Sequence, residues 1–440
     1  MFRNTATTAA LALAVSASAF SAASAQTEVQ WWHAMTGPLG DRLGEIADGF
    51  NKSQTEFAVK AINKGTYPET MNAAIAAFRA KQNPAIVQVF EVGTATMMGA
   101  KGAIYPVHEL MKDNGLPFDP KNYLPAVTGY YTDTAGNMLS FPFNSSTPIL
   151  YWNKTLFKQA GLDPNVGPKT WKDVEEMGRK IVASGGKCGF STQWPSWVLI
   201  ENFSALHNVP IGTKANGFGG LDTEFKINST LHVRHLTNLA KWQTEKIYQY
   251  GGRRGDADPK FFSGECAIHM GSSAGRAAVL ANAKTFEVGF GMLPYYDDVK
   301  GAPQNSIIGG ATLWVLKGRP AAEYKGVAKF MAYLSTPEVQ AKWHQATGYL
   351  PITPASYELT KKQGYYDKNP GADTSIKQMT LNPPTESSKG LRFGSFVQIR
   401  DVIEEELELA IGGKKPAQEA LDTAVKRGNE LLRAFEAANK

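Results

Sequence analysis

Gly271-Ser272-Ser273-Ala274-Gly275 has the spacing of G-x-S-x-G, the turn on which a hydrolase exposes a nucleophilic serine between a strand and a helix. Ser273 would be that nucleophile, in a secreted serine esterase. Its partners do not follow. Only His344 lies downstream, in a segment that reads as an amphipathic helix, and no HGGG-like oxyanion loop lies upstream. Read without catalysis, the same small residues at a helix start offer backbone N–H groups and hydroxyls to an anion. His232 and His235, three apart on a helix, could share a metal, but no Cys or carboxylate stands at a supporting spacing. No phosphate-binding G-x-x-x-x-G-K-[ST] and no dinucleotide fingerprint occur, so no cofactor is expected. In Gln193-Trp194-Pro195-Ser196-Trp197 a proline separates two indoles in a loop. Such a pair either caps a core or forms the apolar wall of a small polyol or sugar site.

The elements that must position these residues alternate. Glu28 to Trp32 reads as a strand, and Leu43, Ile46, Ala47 and Phe50 follow at helical spacing. Phe57 to Ile62 alternates, Met71, Ile75 and Phe78 mark a helix, and Ala85 to Val92 is an apolar strand. Strands separated by single helices predict parallel pairing in an open α/β sheet, with ligands beyond the strands' carboxyl ends. A second run begins with a strand at Ile149 to Trp152 and a helix capped by Thr170 with Asp173 three residues on. It continues through Lys187 to Thr192, a helix over Leu231 to Lys246, and Cys266 to Met270. A strand at Thr312 to Leu316 leads into helices over Ala321 to Leu334 and from Thr336-Pro337, where Thr is the expected cap. Two further helices span Phe396 to Ile411 and Pro416 to Ala438. Polar, Gly- and Pro-rich segments interrupt the pattern at Phe141 to Pro148, Gln304 to Gly310 and Thr347 to Pro354. Three crossings between two lobes, or three surface loops, both fit these breaks.

Composition bounds the class. Arg3, the apolar run Ala9 to Val15 and Ala23-Ser24-Ala25 form the pattern of a secretory signal over residues 1–25, so a mature chain begins near Gln26. With 43% hydrophobic residues and 9 Trp, 440 residues suffice for more than one core, which excludes a disordered chain or a small disulfide scaffold. The 46 basic and 40 acidic residues leave +6, scattered; the densest basic pair, Arg253-Arg254, sits beside Asp256 and Asp258 and argues against a nucleic-acid surface. In an oxidising compartment Cys188 and Cys266 either bridge or remain two buried thiols.

Several segments together resemble the periplasmic glycerol-3-phosphate-binding proteins of ABC importers, relatives of the maltose-binding type within extracellular solute-binding family 1. They include Trp32-His33-Ala34-Met35, Phe90 to Met98, Pro142 to Pro148, Glu201-Asn202-Phe203-Ser204-Ala205, Ile307 to Ala311, Thr347 to Thr353 and Lys368 to Thr374. The resemblance implies a two-lobe α/β binding-protein fold of type II with its ligand cleft between the lobes and three hinge crossings, near 144–147, 304–310 and 347–353. Lobe 1 would hold 26–143 and 305–347, and lobe 2 would hold 148–304 and 352–440. It implies a phosphate held by Tyr67, Ser146, Ser272, Gly310, Tyr349 and Arg400, and a glycerol end met by Glu91, Trp194 and Trp197. Arg400 would supply a planar cationic fork and the others neutral donors. The implied protein is a periplasmic monomer, not an enzyme, that passes glycerol-3-phosphate or a glycerophosphodiester such as glycerophosphocholine to inner-membrane permease subunits. A sugar-binding protein of the same fold is the alternative. Gln193-Trp194-Pro195-Ser196-Trp197 departs from the family pattern in its proline and serine.

Overall fold

The computed structural model describes residue 1 and residues 26–440, apart from 101 and 134. The expected secretory signal therefore lies almost wholly outside the described residues. Strands β1 (Thr27–His33), β2 (Phe57–Asn63), β3 (Ile86–Phe90), β4 (Ile104–Tyr105), β5 (Phe141–Ser146) and β10 (Gly309–Leu316) form one sheet in the order β2-β1-β3-β10-β4, with β5 also on β10. Strands β6 (Pro148–Asn153), β7 (Cys188–Thr192), β8 (Cys266–Ser272) and β9 (Val288–Gly291) form a second, in the order β7-β8-β6-β9.

Parallel pairing holds for the first three strands, from which it was expected, and both sheets are otherwise mixed. β1 runs parallel to β2 and β3, each joined to the next by one helix as crossover, and β7 runs parallel to β8. β10 instead pairs antiparallel with β3, β4 and β5. It enters the first sheet from the second, so no crossover helix dictates its direction. Phe141 to Pro148, read above as a polar break, is extended strand: Thr147 alone separates β5 from β6. Pro142 is accommodated because the β5–β10 register shifts there, between Ala311 and Thr312, and a bulge needs no ladder N–H. The way back is longer, through residues 292–308.

Helix starts follow their local chemistry, with one correction. Thr170 and Asp173 close a capping box on Trp171–Ala183, which satisfies two otherwise unpaired N–H groups. Thr336 makes no side-chain cap on Pro337–Thr347; its hydroxyl donates backwards to Tyr333 O at 2.9 Å. Leu43, Ile46, Ala47 and Phe50 form the buried stripe of Gly37–Ser53, as their spacing requires. The C-terminal helices Phe396–Ile411 and Ala417–Asn439 pack on each other and on Thr230–Thr244, which brings Arg400 to the second sheet's side. No helix among the described residues is long and apolar enough to cross a membrane.

Cys188 and Cys266 stand opposite each other where β7 meets β8 and are joined by a disulfide. The bridge closes a loop with a sequence separation of 78, which the chain-entropy account values at roughly 4 kcal/mol. We expect Cys188→Ala with Cys266→Ala to lower unfolding stability by roughly 2–4 kcal/mol in urea titrations; an unchanged midpoint would contradict this. Burial lowers the pKa of His207, His232 and His344 to about 4. Each then takes up a proton more readily unfolded than folded. Stability is complete above about pH 6.5 and drains away toward pH 4, each histidine contributing up to about 1.4 kcal/mol per pH unit. Urea midpoints at pH 7, 5 and 4 should fall in that order, and a flat series would refute it.

Candidate functional site

One cavity of about 360 Å³ is lined by Tyr67, Glu91, Ser146, Trp194, Trp197, Ser272, Gly310, Tyr349 and Arg400, that is, by all nine residues that the resemblance picks out. They come from both sheets and from the segments between them. Tyr67 opens the helix Tyr67–Arg79 behind a Thr66–Glu69 capping box. Glu91 starts the turn after β3, Ser146 ends β5, Ser272 ends β8 and Gly310 is the second residue of β10. Tyr349 follows the left-handed Gly348 that stops Pro337–Thr347.

The two indoles are held differently. Trp194 adopts a left-handed φ of 45°, an uncommon state for a bulky side chain. It is pinned by its N–H on Arg254 O at 2.7 Å. Trp197 begins a π-helix, Trp197–Asn202, a rare wider turn found mostly at functional sites. Its ring lies against Gly309, where a Cβ would stand 2.3 Å from the indole. Trp197 Nε1 is buried with no protein partner among the described residues.

Arg400 is not a free cation. Its Nε and Nη2 donate to Glu201 Oε1 and Oε2, both at 2.7 Å, and Nη2 also donates to Glu91 Oε1 at 2.6 Å. Burial opposes its charge, but Glu201 and Glu91 outweigh that and raise its pKa. One guanidinium cannot fully support two buried carboxylates. Glu201 takes the two-point contact, and burial pushes the singly bonded Glu91 upward. Nη1 makes no hydrogen bond to the protein among the described residues. No other Lys or Arg lines the cavity among the described residues.

Neutral donors complete the wall. Tyr67 OH accepts from Asn144 Nδ2 at 3.0 Å, and Asn144 Oδ1 accepts from Gln88 Nε2 at 2.9 Å, so the phenol's own proton is left for another acceptor. Burial keeps Tyr67 well above its ordinary pKa and Tyr349 at about 12, so both stay protonated. Asn144, Glu201, Gln193 and Asp258 were not singled out as site residues from sequence. Asn144 and Glu201 act through Tyr67 and Arg400, and their only signal was membership of the family-like segments. Gln193 and Asp258 line the cavity, but one sits in a loop and the other opens the short helix Asp258–Phe262, and their approach is visible only in the fold.

Among the described residues Ser273 and His344 form no esterase constellation. Ser273 Oγ is buried there with no hydrogen-bond partner, and His344 Nε2 lies 2.6 Å from Thr360 Oγ1 instead. His232 is held between Ser204 and Ser229, and His235 stacks on Phe203 at 4.0 Å. No group of three or more His, Cys, Asp or Glu able to hold a metal occurs among the described residues.

The sequence pattern of the bacterial extracellular solute-binding protein family matches residues 45–374. The chain is 51% identical over 95% of its length to the sn-glycerol-3-phosphate-binding periplasmic protein UgpB of Pectobacterium atrosepticum, covering 94% of that protein. It is 49% identical to the UgpB of Yersinia pseudotuberculosis over the whole of both chains. Among solved structures it resembles UgpB of Mycobacterium tuberculosis in complex with glycerophosphocholine, with TM-score 0.76, 21% identity, 93% of this chain and 99% of that one. It also resembles maltose-bound MalE3 of T. maritima, with TM-score 0.75, 17% identity, 92% of this chain and 100% of that one. These likenesses show the two-lobed fold of the maltose-binding type.

Gly310 has φ +91°, and a Cβ there would lie 1.9 Å from Asn144 O. We expect Gly310→Ala to cost roughly 1–3 kcal/mol in thermal or urea unfolding. Gly44→Ala, in an open helical position, should instead gain roughly 0.5–1 kcal/mol. Equal effects at the two sites would contradict the packing described.

Proposed function

The chain belongs to the bacterial extracellular solute-binding protein family, and on that premise we propose that it captures sn-glycerol-3-phosphate or a glycerophosphodiester such as glycerophosphocholine. It is a periplasmic binding protein of an ABC transporter rather than an enzyme, and release to the permease subunits ends its cycle. One observation carries the ligand assignment: a single guanidinium, fixed by two carboxylates, makes no hydrogen bond through Nη1 among the described residues, at a cavity wall that also carries the hydroxyl-bearing Tyr67, Ser146, Ser272 and Tyr349. Neutral donors around one cation suit a phosphate ester, and hydroxyl-rich donors alone would suit a sugar. Glu91 is placed to accept from glycerol hydroxyls and Trp197 covers their carbon face, while Trp194 faces a headgroup such as choline.

The lobes divide as 26–143 with 305–347 and 148–304 with 352–440, and the chain crosses near 144–147, 304–310 and 347–353. Supporting this, β5 and β6 lie in different sheets with one residue between them, and Leu350 N–H donates to Ser145 O at 2.8 Å, tying the third segment to the first. Rotation about these segments would close the lobes over the ligand. The protein works as a monomer, and its scattered charge gives nucleic acid no surface.

Arg400→Ala would strand Glu91 and Glu201 as unpaired buried neighbours, so the conservative Arg400→Lys is the better probe. A lysine cannot hold Glu201 at two points and still present a planar donor. In titration calorimetry this variant should lose about tenfold or more in affinity for both glycerol-3-phosphate and glycerophosphocholine, with an unchanged circular dichroism spectrum. Retained affinity for both would overturn the assignment.

A further inference from the structure

We propose that Asp258, held by Gln193 and His269, reads the ligand's far end and selects glycerophosphodiesters whose headgroup carries an ammonium, such as choline or ethanolamine. The proposal rests on the phosphate-ester reading above and deepens it.

Asp258 lines the same cavity as Trp194, Trp197 and Ser272, and about a quarter of its side chain remains accessible. Gln193 Nε2 donates to its Oδ1 at 3.2 Å and its Oδ2 at 3.1 Å, and His269 Nε2 lies 3.3 Å from Oδ1. A carboxylate only accepts, so His269 carries its proton on Nε2 and its Nδ1 accepts from the Ser191 hydroxyl, 3.2 Å away. Ser191 and His269 are both buried. This Ser–His–Asp series is therefore closed to substrate at its serine end and serves to aim the carboxylate.

Gln193 ties that carboxylate to the phosphate side. Its Oε1 accepts the Ser272 N–H at 2.8 Å while its Nε2 holds Asp258, so one carboxamide spaces the two. The Trp194 N–H on Arg254 O then zips the indole loop to the loop that leads into Asp258. The result is a carboxylate and a half-buried indole beside a phosphate position. An aromatic face with a nearby anion is the arrangement that binds an alkylammonium. Charge count agrees. One guanidinium faces two carboxylates, Glu201 and Glu91, so Asp258 adds to a net negative charge around the cavity. The ammonium of a zwitterionic ligand pairs with Asp258 while its phosphate meets Arg400, and a dianionic monoester has no cation to place there. A purely structural carboxylate could satisfy Gln193 and His269 equally well, but it would gain nothing from facing the cavity.

The test compares glycerophosphocholine, its uncharged isostere with a 3,3-dimethylbutyl group in place of choline, and glycerol-3-phosphate by titration calorimetry. The wild-type chain should bind glycerophosphocholine about tenfold or more tightly than the isostere. Asp258→Asn keeps the shape and should collapse that ratio by about the same factor while strengthening glycerol-3-phosphate, since an anion leaves the cavity. Equal wild-type affinity for choline ester and isostere overturns the proposal whether or not the variant folds. So does a ratio that Asp258→Asn leaves unchanged. If no phosphate ester binds the wild type, the phosphate-ester reading itself falls; if all diesters bind alike, only this inference does.

Discussion

A guanidinium taken out of water must be met by acceptors on nearly every donor, and the placement of Arg400 between Glu201 and Glu91 organises the cavity around that requirement. The three residues are brought by three unrelated pieces of chain: the turn after β3, the π-helix Trp197–Asn202 and the helix Phe396–Ile411. All three pieces contribute to one hydrophobic cluster, through Val92, Val198 and Ile399, so the triad forms only if the first sheet, the second sheet and the C-terminal helices take their native positions. Breaking one partner away would leave uncompensated buried charge, which costs far more than such a pair contributes to stability. The value of the arrangement is orientation. Nε and Nη2 are committed to the protein through three hydrogen bonds, and Nη1 is left with a fixed direction.

Around that fixed point the shape is set by residues that do little chemistry. Gly309 lets Trp197 lie flat, and Gly310 lets β10 approach Asn144. Asn144 in turn sets the Tyr67 hydroxyl. The π-helix carries Trp197 and Glu201 four residues apart, the indole lining the cavity and the carboxylate behind it on Arg400. Gln193 joins Ser272 to Asp258. The cavity is thus a chain of short-range constraints that runs between the lobes.

Much of this was legible in the sequence, and unevenly. The amphipathic stripe of Gly37–Ser53 and the capping box at Thr170 are local, and local rules found them. The direction of β10 was not, because it depends on where the chain has been rather than on its own residues. Phe141 to Pro148 looked like a loop since prolines and small polar residues are turn formers, yet a register shift and a strand start absorb both prolines. Six of the nine cavity residues, Tyr67, Glu91, Ser146, Gly310, Tyr349 and Arg400, were named only through the resemblance; the residues by themselves offered the small-residue turn that holds Ser272 and the pair Trp194 and Trp197. Glu201, bonded to Arg400 across 199 positions, illustrates the limit. Nothing in its neighbours announces an ion pair so distant in the chain.

The most direct measurement is titration calorimetry of the wild-type mature chain with glycerol-3-phosphate, glycerophosphocholine and maltose side by side. If the Arg400 fork is a phosphate reader, at least one phosphate ester binds with a Kd near or below about 1 μM, roughly −8 kcal/mol or better, and maltose gives no heat. Heat from maltose alone would contradict the account at its centre.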